Sequence, residues 1–451
     1  MSILRALPGI LLAAIAFAED AAAELTIPTV DATPTKRLIT VDDVMALRKV
    51  AQLKVSPDGR HYAVFVRQAD VANNSYRSAW FVGDVSGGPL THVADGGELR
   101  FLILPNGGTS GDLDQPEVRW SPDGEWIAYT IKRAGEVQLW RSKADGSVTE
   151  QLSRNASDVM SFAWSDDGKR MFFTAGATRA DLQTQAERRA RSGYRYNEDL
   201  YSIFDLMTPR LRAPVDTNPR VWLVDLQSRA ERVASEAEQA EFKQARNRDL
   251  AGREQIAGHW LDAAIPPVAN ARGELVGLKR AAPGSLDLQL VFTTAAGENS
   301  RGCTDERCKG FIQKIWWSED GKQAVFLRFE GGGRLPGFGL HAWNPRNGQV
   351  RTIATFVDDS FWQFDRGRTG KLIVARQSHT VPMQIAAIDE RTGKLTTLVD
   401  LNPEIRNVRV GRAERIEWQL PELSGEMAGL FPKTAGAIWR SEERRVGKEC
   451  R

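Results

Sequence analysis

Apolar and polar positions alternate along this chain in short bursts, and the bursts fall into a repeating order. An aromatic or aliphatic residue closes one run, a polar turn follows, and a second apolar run begins. The turns read Val55-Ser56-Pro57-Asp58-Gly59, Trp120-Ser121-Pro122-Asp123-Gly124, Trp164-Ser165-Asp166-Asp167-Gly168 and Trp317-Ser318-Glu319-Asp320-Gly321. The runs after them are Tyr62–Val66, Trp126–Tyr129, Met171–Phe173 and Ala324–Leu327. Asp can bond its own backbone and Gly accepts a positive φ, so each unit predicts two antiparallel strands joined by a tight turn. Third strands are predicted at Leu139-Trp140-Arg141-Ser142, Trp222-Leu223-Val224-Asp225, Leu340-His341-Ala342-Trp343 and Ile385-Ala386-Ala387-Ile388. Four short strands recurring at about 45 residues is the arithmetic of a propeller blade. Phe364-Asp365-Arg366-Gly367 reads as a worn copy of the anchor. The expectation is an all-β fold, a β-propeller of about seven four-stranded blades over residues 39–410, with short helical insertions.

Two stretches break the repeat. Residues 180–190 are charged and free of Gly and Pro, which predicts a helix. They lead into Gly193-Tyr194-Arg195-Tyr196-Asn197-Glu198-Asp199. Residues 231–254 form a second charged, helix-prone excursion. Long insertions in a repeat array map to one face and often bind something.

Composition narrows the class. The 451 residues carry 60 basic and 58 acidic side chains, a formal charge of +2, so no global field favours nucleic acid or an anionic membrane. The first 23 residues combine Arg5, the apolar run Ile10–Phe17 and small-residue sites at Ala16-Phe17-Ala18 and Ala21-Ala22-Ala23, which predicts a secretory signal. A buried N-terminal helix is the alternative. The signal implies a periplasmic or secreted protein that does not span the membrane once the signal is removed. In such an oxidising compartment Cys303 and Cys308, flanking Thr304–Arg307, are placed for a small-loop disulfide. No His or second Cys pair lies nearby in sequence to make a metal site, and no cofactor motif is present.

The Trp-Ser-Pro-Asp-Gly repeats, with the lead-in Ile39-Thr40-Val41-Asp42-Asp43-Val44, resemble the propeller of the prolyl oligopeptidase family of serine peptidases. Within it, the lead-in and the Gly193-Tyr194-Arg195-Tyr196 insertion are most similar to the lasso-peptide isopeptidases of Gram-negative bacteria. That resemblance implies a propeller that gates peptide access to an α/β-hydrolase domain bearing a Ser-Asp-His triad. It also implies that Tyr194, Tyr196, Glu198 and Asp199 contact substrate, the two acids holding an ammonium group; a solvated loop is the competing expectation. The chain contains no Gly-x-Ser-x-Gly, and Gly108-Thr109-Ser110-Gly111 has Asp112 where the last Gly should stand. Residues 411–440 look like the first strands of a hydrolase domain cut short, and 441–451, without apolar period, like an artefactual tail or a charged natural one. The chain alone is therefore expected to be inactive. Two functions compete: the substrate-gating half of a secreted peptidase, or a stand-alone periplasmic propeller acting as a binding scaffold; a third, a propeller enzyme with its site in the central channel, has no metal-ligand spacing or carboxylate cluster to recommend it.

Overall fold

The computed structural model describes residues 25–33, 35–103, 109–192, 219–250, 267–280, 288–295, 300–330, 337–367, 369–411, 413–417 and 437–441. Among them are six four-stranded antiparallel sheets, each built from four consecutive strands. They are taken in order as blade 1 (residues 49–95), blade 2 (118–151), blade 3 (159–233), blade 4 (268–302), blade 5 (312–356) and blade 6 (359–400). The β-propeller read from the repeats is thus the observed architecture. About seven blades were expected. Where a further unit would follow blade 3, the chain forms helix α3 (Glu236–Leu250) and then residues outside the described set.

The turn chemistry acts locally as expected. In blades 1, 3 and 5 the Ser hydroxyl bonds the Asp carboxylate two residues on, at 2.6 Å for Ser56–Asp58, 2.6 Å for Ser165–Asp167 and 2.7 Å for Ser318–Asp320. Ser121 and Asp123 repeat the bond in blade 2. Gly59 closes its turn at φ 75° and Gly168 at φ 68°, values that a side chain resists. The worn anchor of blade 6 ends the strand Asp359–Arg366 and turns at Gly370.

The anchor tryptophans also join neighbouring blades. Trp120 donates its indole N–H to the Lys54 carbonyl of blade 1 at 3.0 Å, and Trp164 to the Arg119 carbonyl of blade 2 at 3.1 Å. Trp317 reaches the Val268 carbonyl of blade 4 at 2.8 Å. Between successive sheets lie separate apolar cores. Val64 and Ile373 share the one between blades 6 and 1, Trp80 and Tyr129 the next, and Leu139 and Phe173 the one after. Leu290 and Phe326 pack between blades 4 and 5, Leu340 and Val374 between 5 and 6. The far face of blade 3 is covered by α3, whose Phe242 and Ala245 pack on Phe172 and Leu223.

No strand is shared between blades 6 and 1, so side chains and the N-terminal segment close that seam. Arg48 bonds the Asn402 side chain at 2.7 Å through its backbone N–H, and Arg37–Leu38 pairs in parallel with Val408–Arg409.

Chain direction fixes two unlike ends. Every first strand runs toward its Ser-x-Asp-Gly-type turn, so those turns share one face. The links between blades and between second and third strands share the other. That second face carries α1 (Val41–Met45), α2 (Arg179–Ser192), α3, the hairpin of Phe101–Ile103 with Thr109–Leu113, and the exit after residue 400. The helix expected over 180–190 is α2. The excursion at 231–254 is part strand, because Glu231–Val233 completes blade 3 before α3 begins.

Candidate functional site

The first strand of blade 1 (Lys49–Val55) touches those of blade 2 (Val118–Trp120) and blade 6 (Asp359–Arg366), and the first strand of blade 4 (Val268–Ala269) touches that of blade 5 (Ile312–Trp317). Counting back from each turn aligns them residue by residue. One position before the anchor, which in blade 6 is Arg366, four residues ahead of the turn glycine Gly370, stand Lys54, Arg119, Ala163, Trp316 and Asp365. Three positions before it stand Gln52, Glu117, Ser161, Lys314 and Gln363. Strand alternation puts both sets on the same side of their strands. Eight of these ten positions carry a polar side chain where a plain sheet core would be apolar.

Asp365 is the hub. It accepts from Lys314 at 2.7 Å, lies 3.2 Å from Lys54, and accepts from the Val55 backbone N–H at 2.9 Å, which ties blades 1, 5 and 6 together. Burial acts to raise its pKa, but the two ammonium groups and the hydrogen bonds outweigh burial and hold it well below the usual carboxylate range. Lys314 moves downward, because desolvation and nearby Lys54 outweigh its bond to Asp365. Next to this hub Arg119 pairs with Glu117 at 2.7 Å and lies over the Phe162 ring. A cavity of about 290 Å³ opens at the turn end of the axis, lined by Lys54, Glu117, Arg119, Asp365 and Arg366.

Toward the insertion-bearing face stand two buried amides. Gln363 donates to Gln115 at 3.2 Å and Gln52 to the Pro116 carbonyl at 3.2 Å. From α3, Arg246 reaches the Ser161 hydroxyl at 3.0 Å. The cross-linked charged hub thus lies toward the turn end, with Gln52, Gln363 and the Arg246–Ser161 bond toward the other.

The residues singled out from sequence lie elsewhere. Tyr194, Tyr196, Glu198 and Asp199 fall outside the described residues. The helix before them is anchored on blade 3, where Arg179 pairs with Asp158 at 2.9 Å. Cys303 and Cys308 are joined and buried under blades 4 and 5 on the insertion-bearing face. His341 is a packed network residue, its Nε2 2.7 Å from Glu330 and its Nδ1 3.1 Å from Thr352. Among the described residues no group of three or more His, Cys, Asp or Glu side chains could hold a metal ion, and no helix is long and apolar enough to cross a membrane. Sequence reasoning passed over the axial ring. Its signal was there in Lys54, Arg119, Lys314 and Asp365, single charges inside otherwise apolar strands.

No family model matches the chain. It is 26% identical over 388 residues to the lasso peptide isopeptidase AtxE2 of Asticcacaulis excentricus, covering 84% of this chain and 52% of that protein. Dipeptidyl-peptidase 5 of Porphyromonas endodontalis is 25% identical over 221 residues, 46% of this chain and 28% of that one. The chain therefore spans about half the length of the first of these relatives. Among solved structures, AtxE2 isopeptidase with Astexin3-dC4 bound superposes with a TM-score of 0.70 at 22% identity, covering 85% of this chain and 57% of that one. An acylaminoacyl peptidase of Pyrococcus horikoshii gives 0.50 at 12% identity, over 86% and 58%. Fold, repeats and relatives agree: this chain is a β-propeller similar to the propeller portion of prolyl oligopeptidase-family peptidases, and among them to a lasso peptide isopeptidase.

Proposed function

We propose that this chain is the substrate-gating propeller of a secreted serine peptidase that hydrolyses the isopeptide bond of a lasso peptide. The observation that carries the reading is one-sided exposure. Of the 13 large hydrophobic residues that are exposed among the described ones, only Val148 lies at the turn face. Ten of the other twelve sit on the insertion-bearing face or near the strand ends that lead to it, and Met160 and Trp362 stand within first strands. Val41, which is 76% exposed, Val44 and Met45 of α1 stand there with Phe101 and Val357. Apolar surface gathered on one side marks a place that another folded body covers. A catalytic domain following residue 410 leaves the propeller from that same side.

In this reading the propeller contributes selection and the catalytic domain contributes the nucleophile. The charged hub narrows the turn end of the axis, so a peptide enters from the side of the insertions. Glu198 and Asp199 are proposed to hold an ammonium group of the substrate through charge-assisted hydrogen bonds, with Tyr194 and Tyr196 beside them. The chain by itself is proposed to be catalytically silent, and the mature protein to act in the periplasm.

The test is to follow the reading frame past Ala437 and produce the whole product. The expected product contains a Gly-x-Ser-x-Gly turn and opens the macrolactam of a lasso peptide, seen as an 18-Da gain by mass spectrometry, the mass of the one water that hydrolysis adds. A frame that closes at once favours the stand-alone scaffold and ends the peptidase reading. In an active product, replacing both Glu198 and Asp199 with Ala raises KM; an unchanged KM removes their role.

A further inference from the structure

The first strands share a defect at one register. In blade 1 Val50 pairs with Val66 and Gln52 with Phe65, so Ala51 is an extra residue. Met160 is extra in blade 3, Gln313 in blade 5 and Trp362 in blade 6, each by the same break in pairing. All four stand four positions before the anchor, directly ahead of Gln52, Ser161, Lys314 and Gln363. A bulge leaves its extra residue unpaired and re-aims its side chain. Four at one register in four blades is a built feature.

Exposure shows where the re-aimed side chains go. Trp362 is 57% exposed between Phe361 at 5% and Gln363 at 4%. Met160 is 64% exposed between Val159 at 2% and Ser161 at 5%. In an innermost strand the flanking residues are taken up by packing on both sides, so the solvent beside the bulge is that of the axis. A Trp ring and a Met thioether, on blades three steps apart, thus border the axis ahead of the uncharged amides. The charged hub lies beyond them.

We propose that Trp362 and Met160 form an apolar collar that takes an aromatic or aliphatic side chain of a peptide entering from the insertion-bearing face. This rests on the peptide-handling function above and adds the contact chemistry to it. Trp offers a large rigid face and Met an adaptable one, a pairing suited to apolar side chains of varied shape.

The test titrates the full chain with acetyl-Gly-Phe-Gly-amide, acetyl-Gly-Gly-Gly-amide and 4-methylphenol by calorimetry. Trp362→Ala and Met160→Ala are measured alongside, with circular dichroism to confirm folding. The expected result is binding of the Phe peptide over the Gly peptide, weakened about tenfold by Trp362→Ala and less by Met160→Ala. Equal binding of the Phe peptide by the wild type and both variants overturns the collar and leaves peptide handling intact. Binding of 4-methylphenol that depends on Trp362, without binding of either peptide, keeps the collar and rejects the peptide reading. Absence of all binding rejects both.

Discussion

Asp365 shows how one side chain can secure a ring. Its carboxylate meets Lys314 of blade 5, Lys54 of blade 1 and the backbone of Val55, all from blade 6. Removing the negative charge leaves two ammonium groups facing each other in a poorly solvated place. Asp365→Asn is expected to lower unfolding stability by about 3 kcal/mol, measured by urea denaturation at pH 7. Adding Lys314→Met should recover part of the loss, since the uncompensated charge is then gone. The sign with pH follows from the lowered pKa in the folded chain. The carboxylate's contribution is complete above the unfolded value of about 4 and declines as pH falls below it. The gap between wild type and Asp365→Asn should therefore narrow in acid; a gap that widens there contradicts the assignment. This hub was legible in the sequence only as unexplained charges within apolar strands. Its assembly needed a register spanning more than 300 residues, from Lys54 to Asp365, which no local pattern carries.

At the scale of elements, the turns were readable because their chemistry is local. Ser, Asp and Gly in fixed order specify the hairpin whatever lies around it, and the structure repeats the same hydrogen bonds in four blades. The preceding Trp was read only as the end of a strand. Its indole N–H in fact bridges to the blade before, an inter-blade bond invisible to periodicity. Trp164→Phe keeps most of the ring's burial and loses that bond, leaving the Arg119 carbonyl without it. A loss of about 1 kcal/mol in thermal or urea unfolding is expected. No change would mean that burial alone gives the anchor its value. The bulges escaped sequence reading for a different reason. An extra residue in a strand shifts the alternation by one, and Met160 and Trp362 look like ordinary core residues until the pairing is known. Helix α3 was anticipated as a charged excursion, but not that its Phe242 and Ala245 cover the open face of blade 3.

Across the whole molecule, the repeat specified the architecture because each blade buries its faces only against neighbours, so similar units impose a ring. What the repeat could not specify is the difference between the two faces. That asymmetry comes from chain direction and from where the insertions fall. Together they place α1, α2, α3 and most exposed large hydrophobic residues on one side. The candidate substrate residues 194–199 were picked out by family resemblance, whereas the axial ring and its collar emerge only in three dimensions. A peptide is expected to engage the insertion-bearing end of the axis and stop at the charged hub. Hydrogen–deuterium exchange of the full chain, with and without acetyl-Gly-Phe-Gly-amide, tests this most directly. Protection should appear in residues 159–161, 312–314 and 359–363, with the four Ser-x-Asp-Gly turns unchanged. Protection confined to those turns, or none at saturating peptide, contradicts it.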